Sequence, residues 1–247
     1  MRFPLPTHSY TLASLPASSG KLVNVYPEAR PQDAKGQVRL KRVPGIAAWS
    51  TLAATGRGIH VMAGVLYAVA GTTLYSVASN GATTNLGTIS GTAPVWMADN
   101  GTQLVIGTDG GDWYVYDGSL AAIADADFTS RGARACGFID NYIAFVEPAS
   151  GRWFISDLAD AEAYDALDFA TAEGSPDNLV SLAVDHREVI LFGEKTTERW
   201  YNAGATGFPF ERSPGGFMEI GCAANRGVCQ LDNSVFWLAN DLTMRRL

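Results

Sequence analysis

Residues 64–77 read GVLYAVAGTTLYSV and contain two short runs of apolar, aromatic and β-branched side chains. The runs span Val65–Val69 and Leu74–Val77, and Gly71 and Thr72 lie between them. Short runs of this composition are typical of β-strands, and a glycine in so brief a connection allows a tight turn. The stretch therefore predicts a β-hairpin.

This pattern recurs four times further along the chain. The copies are QLVIGTDGGDWYVY (103–116), YIAFVEPASGRWFIS (142–156), EVILFGEKTTERWYN (188–202) and SVFWLANDLTMRRL (234–247). Their predicted strands are Leu104–Ile106 and Trp113–Tyr116, Tyr142–Val146 and Trp153–Ile155, Val189–Phe192 and Arg199–Tyr201, and Val235–Leu238 and Thr243–Leu247. Aligned on Leu66, Val105, Ala144, Ile190 and Phe236, the units are separated by steps of 39, 39, 46 and 46 residues.

Repeats of about 40 to 50 residues built from paired short strands indicate β-propeller blades. The predicted fold is all-β, a β-propeller-like array of antiparallel hairpin blades with a period of about 40–46 residues, and the array is incomplete or open. The spacers would supply further strands, namely Val95–Ala98, Ala135–Ile139 and Leu179–Val184. An ordinary β-sandwich is the alternative, and the recurrence of one hairpin in the same sense disfavours it.

Two segments do not follow the repeat. Residues 1–55 predict an extended N-terminal arm with a short apolar run at Leu22–Tyr26 and a basic strand candidate at Val38–Val43. The expected organisation is an arm over residues 1–55 and propeller-like blades over residues 56–247, in a chain that is complete or truncated. The second segment, residues 157–173, predicts a loop with one or two helical turns.

Charge and cysteine content limit the classes of function. A formal net charge of −7 argues against a protein that grips nucleic acid, whereas weak repulsion of a polyanion would suit the wall of a conduit. Cys136, Cys222 and Cys229 show no CxxC spacing, so buried free thiols are expected. The sequence shows neither a signal-peptide pattern nor about 18 consecutive apolar residues. Synthesis in a cytoplasm, followed by assembly, is expected.

Candidates for catalysis are few. His8 lies in the arm, His60 is predicted to precede a strand, and His186 falls in a turn, where a solvated position is expected. Residues 157–173 contain six acidic residues, namely Asp157, Asp160, Glu162, Asp165, Asp168 and Glu173. Their carboxylates could serve glycoside hydrolysis or calcium binding, but their spacing favours a solvated loop. No phosphate-binding motif occurs. We therefore predict no catalytic, cofactor-binding or metal-binding residues, no cofactor, and a protein that is not an enzyme.

The segment from Trp153 to Gly216 resembles the packaged-DNA stabilisation proteins, also called tail hub or nozzle proteins, of short-tailed bacteriophages. The resemblance rests on Trp153, Phe154, Ile155, Asp157, Tyr164, Ala170, Ser175, Pro176, Asp177, Phe192, Gly193, Glu198 and Tyr201. Upstream, Val23-Asn24, Pro44-Gly45-Ile46, Gly71 and Leu74-Tyr75 are similar to the opening of the same family.

The resemblance implies a structural virion protein of the phage tail. Its copies would form a homo-oligomeric ring, six by family analogy, that extends the portal channel, retains packaged DNA and passes it on ejection. Partners would be portal-adaptor proteins and tail needle or tailspike proteins, with DNA passing without sequence-specific binding and with no membrane span. Family members are longer than this chain, which leaves a fragment, a shortened prophage copy or completion by neighbouring chains as alternatives.

The sequence is also compatible with two other functions. A glycan-binding or glycan-cleaving β-propeller would require two carboxylates and aromatic rings converging on the central channel. A generic interaction propeller of bacterial origin is the third possibility.

Overall fold

The computed structural model describes residues 22–31, 36 and 38–247, which divide into the units Met1–Trp49 and Ser50–Leu247. In the first unit, β1 (Val25–Ala29) and β2 (Val38–Arg42) form an antiparallel pair. Glu28 lies between the side chains of Arg39 and Lys41 and forms an ion pair with each of them. The basic strand expected from the sequence is therefore present as β2. Residues 1–21 of the expected arm, which include His8, and residues 32–35 and 37 lie outside the described residues.

The second unit consists of five antiparallel sheets that follow one another along the chain, and we call these sheets blades 1 to 5. Blade 1 contains β3 (Gly56–Met62), β4 (Val65–Ala70), β5 (Thr73–Val77) and β6 (Thr83–Thr88), and blade 2 contains β7 (Trp96–Asp99), β8 (Leu104–Gly107), β9 (Trp113–Tyr116) and β10 (Leu120–Ala122). After the helical turn α1 (Ala126–Thr129), blade 3 contains β11 (Ala135–Ile139), β12 (Tyr142–Val146), β13 (Arg152–Ile155) and β14 (Phe169–Thr171). Blade 4 contains β15 (Leu179–Asp185), β16 (Glu188–Gly193), β17 (Thr197–Asn202) and β18 (Phe210–Met218), and blade 5 contains β19 (Val228–Gln230), β20 (Val235–Leu238) and β21 (Met244–Arg246).

All five predicted hairpins are confirmed, as are the three strands expected in the spacers. Each hairpin is the second and third strand of a blade, and the spacer strand precedes it as the first strand. The fold is all-β, as predicted, with the blades arranged as in a β-propeller.

Successive side chains along a strand point to opposite faces of its blade, and this alternation explains how the blades stack. Leu104 and Ile106 of β8 pack against blade 1, whereas Val105 between them packs towards blade 3. In β16, likewise, Leu191 faces blade 3 and Phe192 faces blade 5. Both faces of each inner blade are therefore buried by neighbours, and each fully buried Leu, Ile or Phe contributes about 1.5–3 kcal/mol.

The first strands of successive blades contact one another in order, β3 with β7, β7 with β11, β11 with β15 and β15 with β19. Among the described residues, blades 5 and 1 share no strand contact of comparable extent. The array is therefore open between its last and first blades, in agreement with the incomplete or open array expected from the sequence.

The alignment of the first unit on Leu66 is wrong by one residue. In blade 1, the β4 side chain that packs towards the following blade is Tyr67 and not Leu66. In blade 2, the side chain that packs towards the following blade is Val105, the residue that was aligned with Leu66. A shift of one residue in a strand reverses the face on which a side chain lies. The first repeat step is therefore one residue shorter than the sequence pattern indicates.

The helical turns expected within residues 157–173 are also wrong. This segment forms turns, an isolated bridge between Asp157 and Asp160, and the start of β14. Asp160 accepts a hydrogen bond from the Glu162 backbone N–H, and Asp165 accepts one from that of Leu167. Aspartate side chains that bond to nearby backbone groups in this way compete with helix formation.

The single helical turn among the described residues lies between blades 2 and 3. Asp125 caps α1 by accepting hydrogen bonds from the backbone N–H groups of Asp127 and Phe128. The Phe128 ring packs edge-on against Phe145 at 5.2 Å and lies 4.8 Å from Tyr164. An aromatic cluster therefore fixes both α1 and the acidic loop to blade 3.

Candidate functional site: the axial cavity and the loop that closes it

The first strands of the five blades surround one cavity of about 530 Å³. Asp99, Phe138, Val184 and Gln230 line it from four successive blades, and His60 lines it from blade 1. The spacing from Asp99 to Gln230 follows the 39, 46 and 46 residue steps of the repeat. The cavity therefore lies on the axis around which the blades stack, and we call it the axial cavity.

A polar contact joins blades 1 and 2 at the wall of this cavity. His60 Nε2 lies 2.5 Å from Asp99 Oδ2, so a protonated Nε2 donates to the carboxylate. The other oxygen of Asp99 accepts a hydrogen bond from the Gly101 backbone N–H at 2.8 Å. His60 precedes the predicted strand, which is β4, and it lies within β3, a strand that the sequence analysis did not predict. Its partner Asp99 was not identified from sequence.

The opposite end of the axis is crossed by residues 221–227, which connect blade 4 to blade 5 and which we call the axial loop. Asn225 Nδ2 donates to Asp109 Oδ2 at 3.1 Å and to the Arg134 carbonyl at 3.2 Å. The Asn225 carbonyl accepts a hydrogen bond from Ser181 Oγ at 2.7 Å. One residue of the axial loop is therefore bonded to blades 2 and 4 and to the residue that precedes blade 3.

Arg226 of the axial loop extends the same bridge. Its guanidinium lies 5.0 Å from the centre of the Trp96 ring at the start of β7. Burial lowers the pKa of Arg226, while Cys136 and Asp109 act in the opposite direction. Neither axial-loop residue was singled out in the sequence, where GCAANRG carries no strand pattern.

The size of the axial cavity restricts what it can hold. At about 30 Å³ for each water molecule, it has space for on the order of 20 waters. A nucleic-acid duplex, whose major groove alone is about 12 Å wide, does not fit. The axial cavity, as the described residues form it, therefore has no room for double-stranded DNA.

The acidic residues of 157–173 do not line the axial cavity. Their loop packs against blade 2 instead, where the Ala161 backbone N–H donates to Gln103 Oε1 at 2.8 Å. Burial raises the pKa of Asp168, and the neighbouring carboxylates of Asp165 and Asp157 raise it further. The convergence of two carboxylates on the central channel, which the glycan-cleaving alternative requires, is not found among the described residues.

A second cavity of about 450 Å³ lies at the outer part of blades 3 and 4 and combines aromatic and charged side chains. Trp200, Phe169, Glu173 and Arg212 line it. The nearby carboxylate of Glu198 is buried and accepts hydrogen bonds from the Gly174 backbone N–H at 2.6 Å and from Trp200 Nε1 at 3.0 Å. Both oxygens of Glu198 are therefore engaged within the protein.

The remaining candidate residues lie apart from one another. His186 is in the turn between β15 and β16, as predicted, and its Nδ1 lies 2.7 Å from Asp185 Oδ2. All three cysteines are free, and Cys136 and Cys222 are buried as expected, but Cys229 is exposed. Burial raises the pKa of Cys136, so this thiol is poorly disposed to form a thiolate.

Within the part of the chain that is described, no three His, Cys, Asp or Glu side chains are grouped closely enough to hold a metal ion. The described residues likewise include no helix with the length and apolar character needed to span a membrane.

Several solved structures share this fold. The computationally designed Ika8 protein aligns with a TM-score of 0.53 and 16% identity, over 92% of this chain and 69% of that chain. YCF48 bound to D1 peptide aligns with a TM-score of 0.53 and 13% identity, over 81% of this chain and 65% of that chain. Virginiamycin B lyase from Staphylococcus aureus aligns with a TM-score of 0.53 and 9% identity, over 90% of this chain and 72% of that chain. At these identities the likeness concerns the fold alone.

Sequence comparison is more specific. No curated protein matches the chain. Residues 18–245, however, match the model of a family described as bacteriophage P22 Gp10, β-propeller. The match covers nearly the whole chain and confirms the resemblance noted in its sequence, so this protein belongs to the bacteriophage P22 Gp10 β-propeller family of phage structural proteins.

Proposed function

We propose that this chain is a subunit of the tail nozzle of a short-tailed phage, in a ring that extends the portal channel, retains packaged DNA and passes it on ejection. Membership of the phage family is the observation that carries the proposal. The ring would contain six copies by family analogy, and portal-adaptor and tail needle or tailspike proteins would be its partners. Assembly would take place in the host cytoplasm, and residues 1–55 would serve as an arm along a neighbour.

The geometry of the blades constrains where DNA would run in such a ring. The axial cavity is too small for a duplex, and the axial loop crosses the axis through Asn225 and Arg226. The conduit would therefore lie between copies of the chain, with the outer surfaces of their blades as its wall. A net charge of −7 supports this arrangement, because an acidic wall does not retain a passing polyanion.

The proposal includes the absence of enzymatic activity. Two carboxylates near the cavities support it, since Asp99 is engaged by His60 and the Gly101 N–H, and Glu198 by Trp200 and the Gly174 N–H. A hydrolase that uses two carboxylates needs one to donate a proton and the other to act as base or nucleophile, both facing the substrate.

Negative-stain imaging tests the nozzle assignment directly. The purified chain would be imaged alone and after mixing with the cognate portal-adaptor complex. A ring docked coaxially on the adaptor is the expected result. Monodisperse particles that never bind the adaptor would contradict the proposal.

A further inference from the structure

The cavity at the outer part of blades 3 and 4, of about 450 Å³, continues into another of about 600 Å³. Glu173 and Arg212 line both, so the two cavities adjoin, and we call them together the outer groove. Most of its lining comes from β14 and β18, the last strands of their blades. All of its lining residues belong to the unit Ser50–Leu247.

A bulge in β18 shapes one wall of the outer groove. Opposite the single residue Arg199 of β17, strand β18 carries residues 213–216, which form the bulge between Arg212 and Phe217. Extra residues in one strand interrupt its ladder of hydrogen bonds, and Pro214 within the bulge has no backbone N–H to donate. A partner peptide therefore cannot extend blade 4 by continuous pairing with β18, and the groove is better suited to a ligand that side chains hold.

Two partly exposed aromatic rings line the outer groove. Trp200 donates from Nε1 to Glu198, whose side chain is only 2% exposed, and packs edge-on against Trp153 with the ring centres 5.6 Å apart. The Phe169 ring is contacted by two guanidinium groups, which lie 5.0 and 5.7 Å from its centre. These contacts fix the orientation of both rings, so the groove presents flat apolar surfaces.

The charged residues that line the outer groove are Glu173 and Arg212. The side chain of Arg212 lies 3.6 Å from Glu198 and is 48% exposed, so part of its fork of donors remains available. Glu173 is exposed, and its carboxylate offers acceptors. Because these two groups carry opposite charges, an anion or a cation meets attraction and repulsion together. A neutral ligand rich in hydroxyl groups can bond to both.

We propose that the outer groove binds a neutral pyranose residue of a polysaccharide. The C–H face of the sugar ring lies against Trp200 or Phe169, and its hydroxyl groups bond to Glu173 and Arg212. The adjoining cavities leave space for the next residue of the sugar chain. Glu173 is the one carboxylate among the described residues that line the groove, so the site binds without the second carboxylate that hydrolysis requires. This inference goes beyond the nozzle function and does not depend on it.

Saturation-transfer NMR tests the site with the methyl glycosides of glucose, galactose, mannose and rhamnose as probes. A methyl glycoside carries a capped anomeric oxygen, as does a residue within a polysaccharide. Signal transfer to at least one probe is expected, with a dissociation constant on the order of 1–10 mM for so small a ligand. Inorganic phosphate should not compete, because the groove has no excess of positive charge. Absence of transfer to every probe, or competition by phosphate, would overturn the inference.

Two variants at exposed residues locate the binding. Glu173→Ala removes the acceptors, and Thr171→Trp fills the groove from β14, an edge strand in which an aromatic residue is favourable. Each should weaken binding at least about tenfold. Glu211→Ala is the matched control, because Glu211 precedes Arg212 in β18 and points to the opposite face. Thermal melts check that all three variants fold. Unchanged binding in either groove variant, or an equal loss in the control, would refute the site.

A protein partner is the alternative occupant of the outer groove. An oligoproline peptide is the probe for it, since proline-rich segments dock in grooves lined by aromatic side chains. If the peptide binds, loses binding in the Thr171→Trp variant and no glycoside binds, the groove takes a protein partner and the sugar site is wrong. The imaging of rings on the portal-adaptor complex involves no sugar, so failure of the nozzle assignment and failure of this inference are distinguishable.

Discussion

Asn225 Nδ2 lies 3.1 Å from Asp109 Oδ2, which ties the loop before blade 5 to blade 2, 116 residues earlier in the chain. The contact spans the axis of the array, because the same Asn225 also bonds to the Arg134 carbonyl and to Ser181 Oγ. Blades that otherwise touch only their immediate neighbours are therefore joined at one point. In an open array, such a bridge restricts the spreading of the blades.

Asn225→Ala should destabilise the blade array by about 1–3 kcal/mol, because the change removes two donated hydrogen bonds and leaves Asp109 and the Arg134 carbonyl without this partner. Urea unfolding at constant m-value measures the difference. Asn240→Ala, at an exposed residue near the end of blade 5, is the control and should change stability by less than about 0.5 kcal/mol. Equal effects of the two substitutions would contradict the bridging role.

Arg57 should be sensitive even to a change that keeps its charge. Its buried guanidinium donates to the carbonyls of Ala93 at 2.7 Å, Ser90 at 2.8 Å and Gly71 at 2.9 Å, and burial lowers its pKa. Lysine has one nitrogen and cannot reach all of these acceptors, so Arg57→Lys should cost about 2–4 kcal/mol. Arg187→Lys, at a side chain that is 83% exposed, should cost less than about 0.5 kcal/mol in the same assay. A stable Arg57→Lys protein would show that these bonds contribute little.

Gly221→Ala should disrupt the start of the axial loop. A Cβ atom there would lie 2.3 Å from the Glu194 backbone, and its φ is not in the left-handed region, so lack of space is the only obstacle. We expect a loss of about 1–3 kcal/mol or more and faster hydrogen exchange in blade 5. Gly56→Ala is the matched control, because no atom lies within 4 Å of its Cβ position. Normal exchange in blade 5 of the Gly221→Ala protein would contradict this account.

Asp241 in the turn before β21 should titrate well below other aspartates. A hydrogen bond from the Thr243 side chain, with further bonds from the Thr243 backbone and Arg245, lowers its pKa from 3.8 to about 2. Because the folded pKa is depressed, the contribution of Asp241 to stability is present above pH 3.8 and is lost as the pH falls towards 2. Carboxyl NMR should show this midpoint, and Thr243→Ala should raise it. A midpoint near 3.8 in the unaltered chain would refute the turn geometry.

Asp168→Asn should not weaken the fold at neutral pH. Burial, with Asp165 and Asp157 nearby, raises the pKa of Asp168, so the charged form is disfavoured in the folded state. Stability should therefore fall as the pH rises from 3.8 through the raised pKa, and the Asn variant should lack this fall. Thermal melts from pH 3 to 7 measure it, with Glu211→Gln at an exposed strand position as the control. Hydrolysis of a glycan that depends on Asp157 and Asp168 would instead favour the enzyme alternative.

The elements that the sequence predicted are those formed by neighbours in the chain. Tyr142–Val146 and Val235–Leu238 appear with the predicted bounds because strand composition and turn residues act over a few positions. The same local reasoning failed for residues 157–173, where the burial of Tyr164 against Phe128 and the backbone bonds of Asp160 and Asp165 override a weak helical period. The strand that contains His60, β3, was not predicted because it has glycines at two of its first three positions and no clear strand pattern.

By itself the sequence determined the class of fold, the number of hairpins and their period, because these depend on local composition repeated along the chain. The tertiary structure decided which side chains meet on the axis and that Asn225 reaches Asp109. The physical reason is that such contacts depend on the angle at which successive blades stack. That angle results from many weak packing interactions between residues far apart in the chain, and no short pattern encodes it.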